Sequence, residues 1–134
     1  MREILFRGKR KDNGEWVEGH YATIQNPFSE DGRPVKHLIC NGTNIFNYEI
    51  DPETVSEFTS LCDKNGKKVF EGDIIKGAWG VVVQVVYDEC YLGFLARDDM
   101  LFQHSIDYYG LDKIEVIGNI HDNPELLRKE DEGK

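Results

Sequence analysis

The 134 residues suit one domain or two small packed lobes, and 40% hydrophobic content supports a modest core without a stabilising metal or disulfide. The net charge is −9. Residues 1–72 balance at −2 and residues 73–134 at −7, so the second half repels phosphate backbones and broad nucleic-acid binding is disfavoured there.

Compartment and membrane signals come next. Cys40, Cys62 and Cys90 are odd in number, widely spaced and without a CxxC pair, as expected of reduced, partly buried thiols. The opening "MREILFRGKRK" places apolar residues before charge, the reverse of a secretory signal. The longest apolar run, "GVVVQVVY", falls far short of the ~20 residues of a membrane helix. The expectation is a soluble cytoplasmic protein with no membrane contact.

Along the chain, strand signals dominate. "EILFRG" is a first strand, and Asn13-Gly14 opens a tight hairpin because both residue types tolerate positive φ. "EWVEGHYATIQ" is the return strand, irregular at Gly19. "NPFSEDGRPVK", residues 26–36, reads as a surface loop. "HLICNG" is a short strand ending at Asn41-Gly42, and "NIFNYEI" alternates over residues 44–50. "DPET" predicts a capped turn with Asp51 as N-cap and Pro52 at the first position.

"VSEFTSL" then leads into a second Asn-Gly hairpin, at Asn65-Gly66. Beyond residue 69, "KVFEGDIIKG", "GVVVQVVYDE", "CYLGFLARD" and "DKIEVIGNI" are four strands spaced as in a small barrel. Val81 to Val86, interrupted only by Gln84, suit a strand buried on both faces. Gly118 lies inside a strand, where a bulge or a close backbone approach is expected. "DNPELLRK" predicts a short C-terminal helix with Asn123 as N-cap, Pro124 first, and Arg128 and Lys129 at the negative end of its dipole. "DNG-EWVEGH" and "KNGKKVFEGD" share a turn, a strand and a glycine kink, read as two hairpins bending alike.

Chemistry is sparse. His20, His37, His104 and His121 have no neighbour at metal-ligand spacing, so no metal and no cofactor is expected. The pairs Asp88-Glu89 and Asp98-Asp99 point to opposite strand faces and suit turns. No GxSxG, phosphate-loop or dinucleotide fingerprint occurs. Asp73, just past a glycine bend, is expected to anchor backbone N–H groups. Trp79, between glycines in "KGAWG", is either a plug for the barrel mouth or a contact for a partner. Tyr108 and Tyr109 are similarly divided between core packing and contact. Arg7, Lys9, Arg10 and Lys11 form the one basic cluster, a solvated run or a small phosphate- or acid-binding patch.

Ordered motifs across nearly the whole chain resemble the YopX family of bacteriophage and prophage proteins. They are Phe6-Arg7, Trp16-Val17 with Gly19, Pro52 to Val55, Asp63 with Asn65-Gly66, Glu71 to Ile74, Ile117 to Ile120, and Asn123 to Leu126. Ser60 departs from the pattern, which has glycine after the threonine. The resemblance implies a mainly β protein with an SH3-like C-terminal barrel and carries over no catalytic residue.

The combined expectation is mainly β with minor α. Residues 1–62 form a hairpin-rich lobe, and residues 63–134 an SH3-like small barrel with a C-terminal helix. The function expected is that of a phage accessory protein without catalysis. It would act by protein–protein contact with a phage or host protein, and as a homo-oligomer that covers its β edges. Trp79, Tyr108, Tyr109, Arg7 and Arg10 are the candidate binding residues. A nucleic-acid-binding barrel using Arg7 to Lys11 and the loop aromatics is the alternative. An enzyme of unrecognised type ranks third, and −9 without a carboxylate stripe is mild for a DNA mimic.

Overall fold

The computed structural model describes residues 3–25, 28, 30–31, 34–40, 47–98 and 102–127. The expected turn at Asn41-Gly42, the front of "NIFNYEI", Asp99, and Arg128 with Lys129 lie outside these. Eleven strands and four 3-10 turns make up the described elements, which include no α-helix. The chain divides into two compact units, Met1–Phe58 and Thr59–Lys134. The sequence placed that boundary four residues later. The observed boundary falls inside the strand Ser56–Cys62 and the expected one at its end.

In the first unit, β1 (Phe6–Lys9) pairs antiparallel with β2 (Trp16–Gln25), β2 with β3 (Pro34–Cys40), and β3 with β4 (Asn47–Glu49). The start of β5 (Ser56–Cys62) lies on the other side of β1. The turn between β1 and β2 closes because Gly14 takes φ +74 and Asn13 Oδ1 accepts the Glu15 N–H. Ile39, Ile50 and Phe58 are the buried apolar residues here. Gly8 is glycine because a Cβ there would lie 2.7 Å from Ile50 Cδ1. The "DPET" segment turns as expected. Asp51 accepts the Glu53 N–H, and buried Thr54 gives its hydroxyl to the Asp51 carbonyl while accepting the Lys9 N–H.

In the second unit, the end of β5 meets β6 (Lys68–Phe70). A five-stranded antiparallel sheet follows, in the order β10 (Gln103–His104), β9 (Gly93–Arg97), β8 (Val82–Asp88), β7 (Asp73–Lys76) and β11 (Glu115–Asn119). β10 and β11 are its edges, so the sheet is open where the sequence suggested a closed barrel. A core cluster is centred on Val69, Ile75, Val83, Val85, Ala96 and Ile114, and Phe70, Ile74, Val86 and Leu95 are buried besides it. Val83 and Val85 point into the cluster; on the opposite face Val86 is buried as well and Val82 and Gln84 are half-buried, so β8 is covered on both faces, though less completely on the second. Among the described residues the expected C-terminal helix is a 3-10 turn, Pro124–Leu127.

The two glycine-kinked segments differ in the second half of their shared pattern. Gly14 and Gly66 both adopt positive φ at their turns. Gly72 does so too, at +88, and turns the chain into β7. Gly19 instead stays inside β2 opposite Phe6. It is glycine because a Cβ would lie 2.3 Å from the Cys40 carbonyl oxygen. The same Glu-Gly pair thus answers a torsional demand in one place and a steric one in the other.

Candidate contact surface

Strand β7 ends at Lys76, and the chain then presses against Tyr109. A Cβ on Gly77 would lie 2.6 Å from Tyr109 Cβ, so only glycine lets the backbone pass. The turn Ala78–Gly80 follows, closed by Gly77 N–H to the Val81 carbonyl at 2.8 Å. Its middle residue, Trp79, has φ +63 and ψ +13, a left-handed conformation that costs a non-glycine residue roughly 1–2 kcal/mol. Trp79 is also 80% exposed. A strained backbone therefore holds a large aromatic side chain out to solvent.

The turn Ile106–Tyr109 comes up beside it. Ile106 and Tyr109 are buried and anchor the turn in the core, while Tyr108 is 58% exposed. The Tyr108 ring lies 6.4 Å from Trp79, tilted by 57°. His104 stacks on Tyr108 at 4.7 Å, and Tyr109 meets it edge-on at 5.2 Å. The exposed rings are thus braced from beneath by a half-buried and a buried one. Burial first, then Asp98 and Tyr108, push the Tyr109 hydroxyl pKa up, so it stays protonated. The Ser105 hydroxyl bonds the Asp107 carboxylate at the entry to the turn.

The three aromatic candidates from the sequence therefore come together, with unequal roles. Tyr109 is a core residue. Tyr108 and Trp79 form the open face, and Trp79 plugs nothing. His104 joins them, and the sequence offered no signal for it beyond lying four residues before Tyr108.

The basic candidates are placed differently. Arg7 is buried, with its guanidinium 4.6 Å from the Trp16 ring centre, and Lys9 lies over the same ring at 5.6 Å. Arg10 forks onto the Asp12 carboxylate at 2.9 and 2.5 Å and lies over Tyr48 at 4.5 Å. Lys11 faces Glu49 at 3.5 Å. The cluster is therefore largely engaged within its own unit. A shallow cleft of ≈ 490 Å³ runs beside Arg10, Asp12, Tyr48 and Glu49, its opposite charges already paired. A second, of ≈ 480 Å³, is lined by a chain in which Arg97 donates to Gln103 and Gln103 to Asp88.

Most remaining polar candidates organise backbone. Asp63 Oδ1 accepts the Asn65 and Lys67 N–H groups, and Oδ2 accepts Val116 N–H at 2.9 Å. Burial works to raise its pKa, but the Val116, Lys67 and Asn65 bonds outweigh that and hold it below the ordinary value. Asp73 is fully buried and accepts Phe70 N–H at 2.7 Å, the anchoring role expected of it. Asp88 accepts from Cys90 and Tyr91, and Asp98 from Phe102. His37 Nδ1 meets the Tyr21 hydroxyl at 2.5 Å across β2 and β3, a pair the sequence did not reveal. Among the described residues no group of three His, Cys, Asp or Glu side chains could hold a metal ion, and no helix is long and apolar enough to cross a membrane. Cys62 and Cys90 are exposed and Cys40 half-buried, so the thiols are less covered than expected.

Comparison with protein families matches the model described as "YopX protein" over residues 5–128. The chain belongs to the YopX family. No curated protein matches it. Among solved structures it is similar to protein EF1440 from Enterococcus faecalis, at 24% identity and a TM-score of 0.57, covering 96% of this chain and 100% of that one. That likeness concerns the fold alone. The motifs of this YopX chain do backbone work: Asp63 and Gly66 build one turn, Gly72 and Asp73 another, and Asn119 accepts from His121 and Asp122 at a third. The Trp79 and Tyr108 face lies outside all of them.

Proposed function

We propose that this YopX protein is a phage- or prophage-encoded accessory protein of the bacterial cytoplasm. It acts by protein–protein contact and without catalysis of its own. Its contact face is Trp79 with Tyr108. The observation that supports this most directly is the exposed Trp79 held at positive φ, since two costs in one residue ask for a compensating role outside the chain. The open edge of β10 supports self-association, because N–H and C=O groups there would be covered by a second copy, whereas on β11 the Val116 and Asn119 N–H groups are already taken by Asp63 and Asn123.

Two measurements test the reading. A photo-cross-linker in place of Trp79 is expected to trap a discrete protein in bacterial cells, and one in place of exposed Thr23 is not. Equal labelling, or none, contradicts the contact face. Light scattering across a dilution series is expected to give a mass above that of one chain, and a monomer throughout contradicts self-association.

The nucleic-acid reading has less support. Arg7 is buried over Trp16 and Arg10 is bound to Asp12, so few cations are free to release counterions from a phosphate backbone. A Trp79-dependent gel shift of single-stranded DNA at low salt would favour it.

A further inference from the structure

We propose that the open faces of Trp79 and Tyr108 receive a cationic side chain, arginine or lysine, from a basic segment of the partner; this rests on the contact-face reading above. The chain sets its own precedent. Its other tryptophan, Trp16, lies under Arg7 and Lys9, and Tyr48 lies under Arg10. The faces of these two rings are thus met from within by cations. Among the described residues, no cation lies over Trp79 or Tyr108, whose only ring neighbours are aromatic.

The surroundings select the sign of the missing group. Residues 59–134 carry 15 acidic and 9 basic side chains, a balance of −6. Asp107 precedes Tyr108 directly, and Asp98 is close enough to act on the Tyr109 hydroxyl. Two lysines lie near these turns, Lys113 with its stem beside Gly110 and Lys76 with Cε, the carbon that carries its ammonium, beside Gly80. The two rings lie 6.4 Å apart and are tilted at 57°, and a guanidinium or ammonium over an exposed face of either directs its charge at the ring quadrupole. The net negative charge of this unit attracts the same cation and repels a phosphate chain. His104 and Tyr109 fix the Tyr108 ring beforehand, so little ordering is left for the binding step.

The test is an NMR titration of the full chain with hexa-arginine at fixed ionic strength. The Trp79 indole N–H resonance is assigned by its loss in Trp79→Phe. The expected result is a saturable shift of that resonance. Binding should weaken by about tenfold in Trp79→Ala and in Tyr108→Ala and be kept in Trp79→Phe. The neutral citrulline analogue should not bind. Shifts spread over the acidic surface with equal affinity in Trp79→Ala would reduce the effect to bulk charge and overturn the proposal. So would a Trp79 shift with the citrulline analogue or with an oligonucleotide. If a cross-linker at position 79 traps a protein while hexa-arginine leaves Trp79 unmoved, the cationic ligand is wrong and the contact face stands.

Discussion

Ser60 shows what one side chain can cost. It sits mid-way along β5 at φ +76, exposed, where an L-residue is disfavoured by roughly 1–2 kcal/mol and glycine is not. The sequence had marked this position as the departure from a pattern with glycine. Ser60→Gly is therefore expected to raise stability by about 0.5–1 kcal/mol in urea unfolding, the torsional gain exceeding the entropy glycine adds to the unfolded chain. A loss would mean that the hydroxyl has work to do. Asp63 makes a pH-dependent contribution. Its folded pKa lies below its ordinary 3.8, so the unfolded chain takes the proton first as pH falls. The stabilisation is full above that value and disappears as pH drops through the lower, folded one. The stability gap between wild type and Asp63→Asn should be constant near neutrality and close below pH ~4, and a gap independent of pH contradicts this. Asp73→Asn should lower thermal stability by about 1–2 kcal/mol, because a buried backbone donor loses a charged acceptor. Unchanged melting would remove its anchoring role.

Strands and turns were legible in the sequence where glycine, asparagine and aspartate fix the backbone locally. The turns at Gly14 and Gly66, the cap at Asp51 and the crowding at Gly118 all follow from residue type at a given place. At Gly118, β11 shifts register, and a Cβ would lie 2.6 Å from Asn123 Oδ1 and 2.8 Å from Leu126 Cδ1. What was not legible depends on partners distant in sequence. Gly19 looked like a kink and is a contact with Cys40, 21 residues on. Tyr21 meets His37 only because β2 and β3 pair in one register. Sheet closure also escaped the reading, since strand count and spacing are the same in an open sheet and a barrel. Of the contact face, the individual aromatics could be named, but their union could not. It depends on Gly77 passing Tyr109. Gly19→Ala should cost about 3 kcal/mol, because the carbonyl it meets is backbone and cannot swing aside. Urea unfolding measures this, and a change below ~0.5 kcal/mol would refute the steric role.

At the scale of the molecule, the two units use their aromatic residues differently. The first lays its own cations over Trp16 and Tyr48, and the second leaves Trp79 and Tyr108 exposed with only aromatic rings against them. Family motifs build the turns, and the exposed rings are additional to them. If Trp79 is displayed for a partner, the fold gains nothing from its side chain and carries the strain of its backbone. Urea unfolding of Trp79→Gly tests that most directly. The account predicts stability unchanged or raised by up to about 1 kcal/mol, since glycine relieves the positive φ and an 80% exposed ring gives up little burial. A loss of about 2 kcal/mol or more would show that the indole is packed into the fold, and would contradict its role as a contact residue.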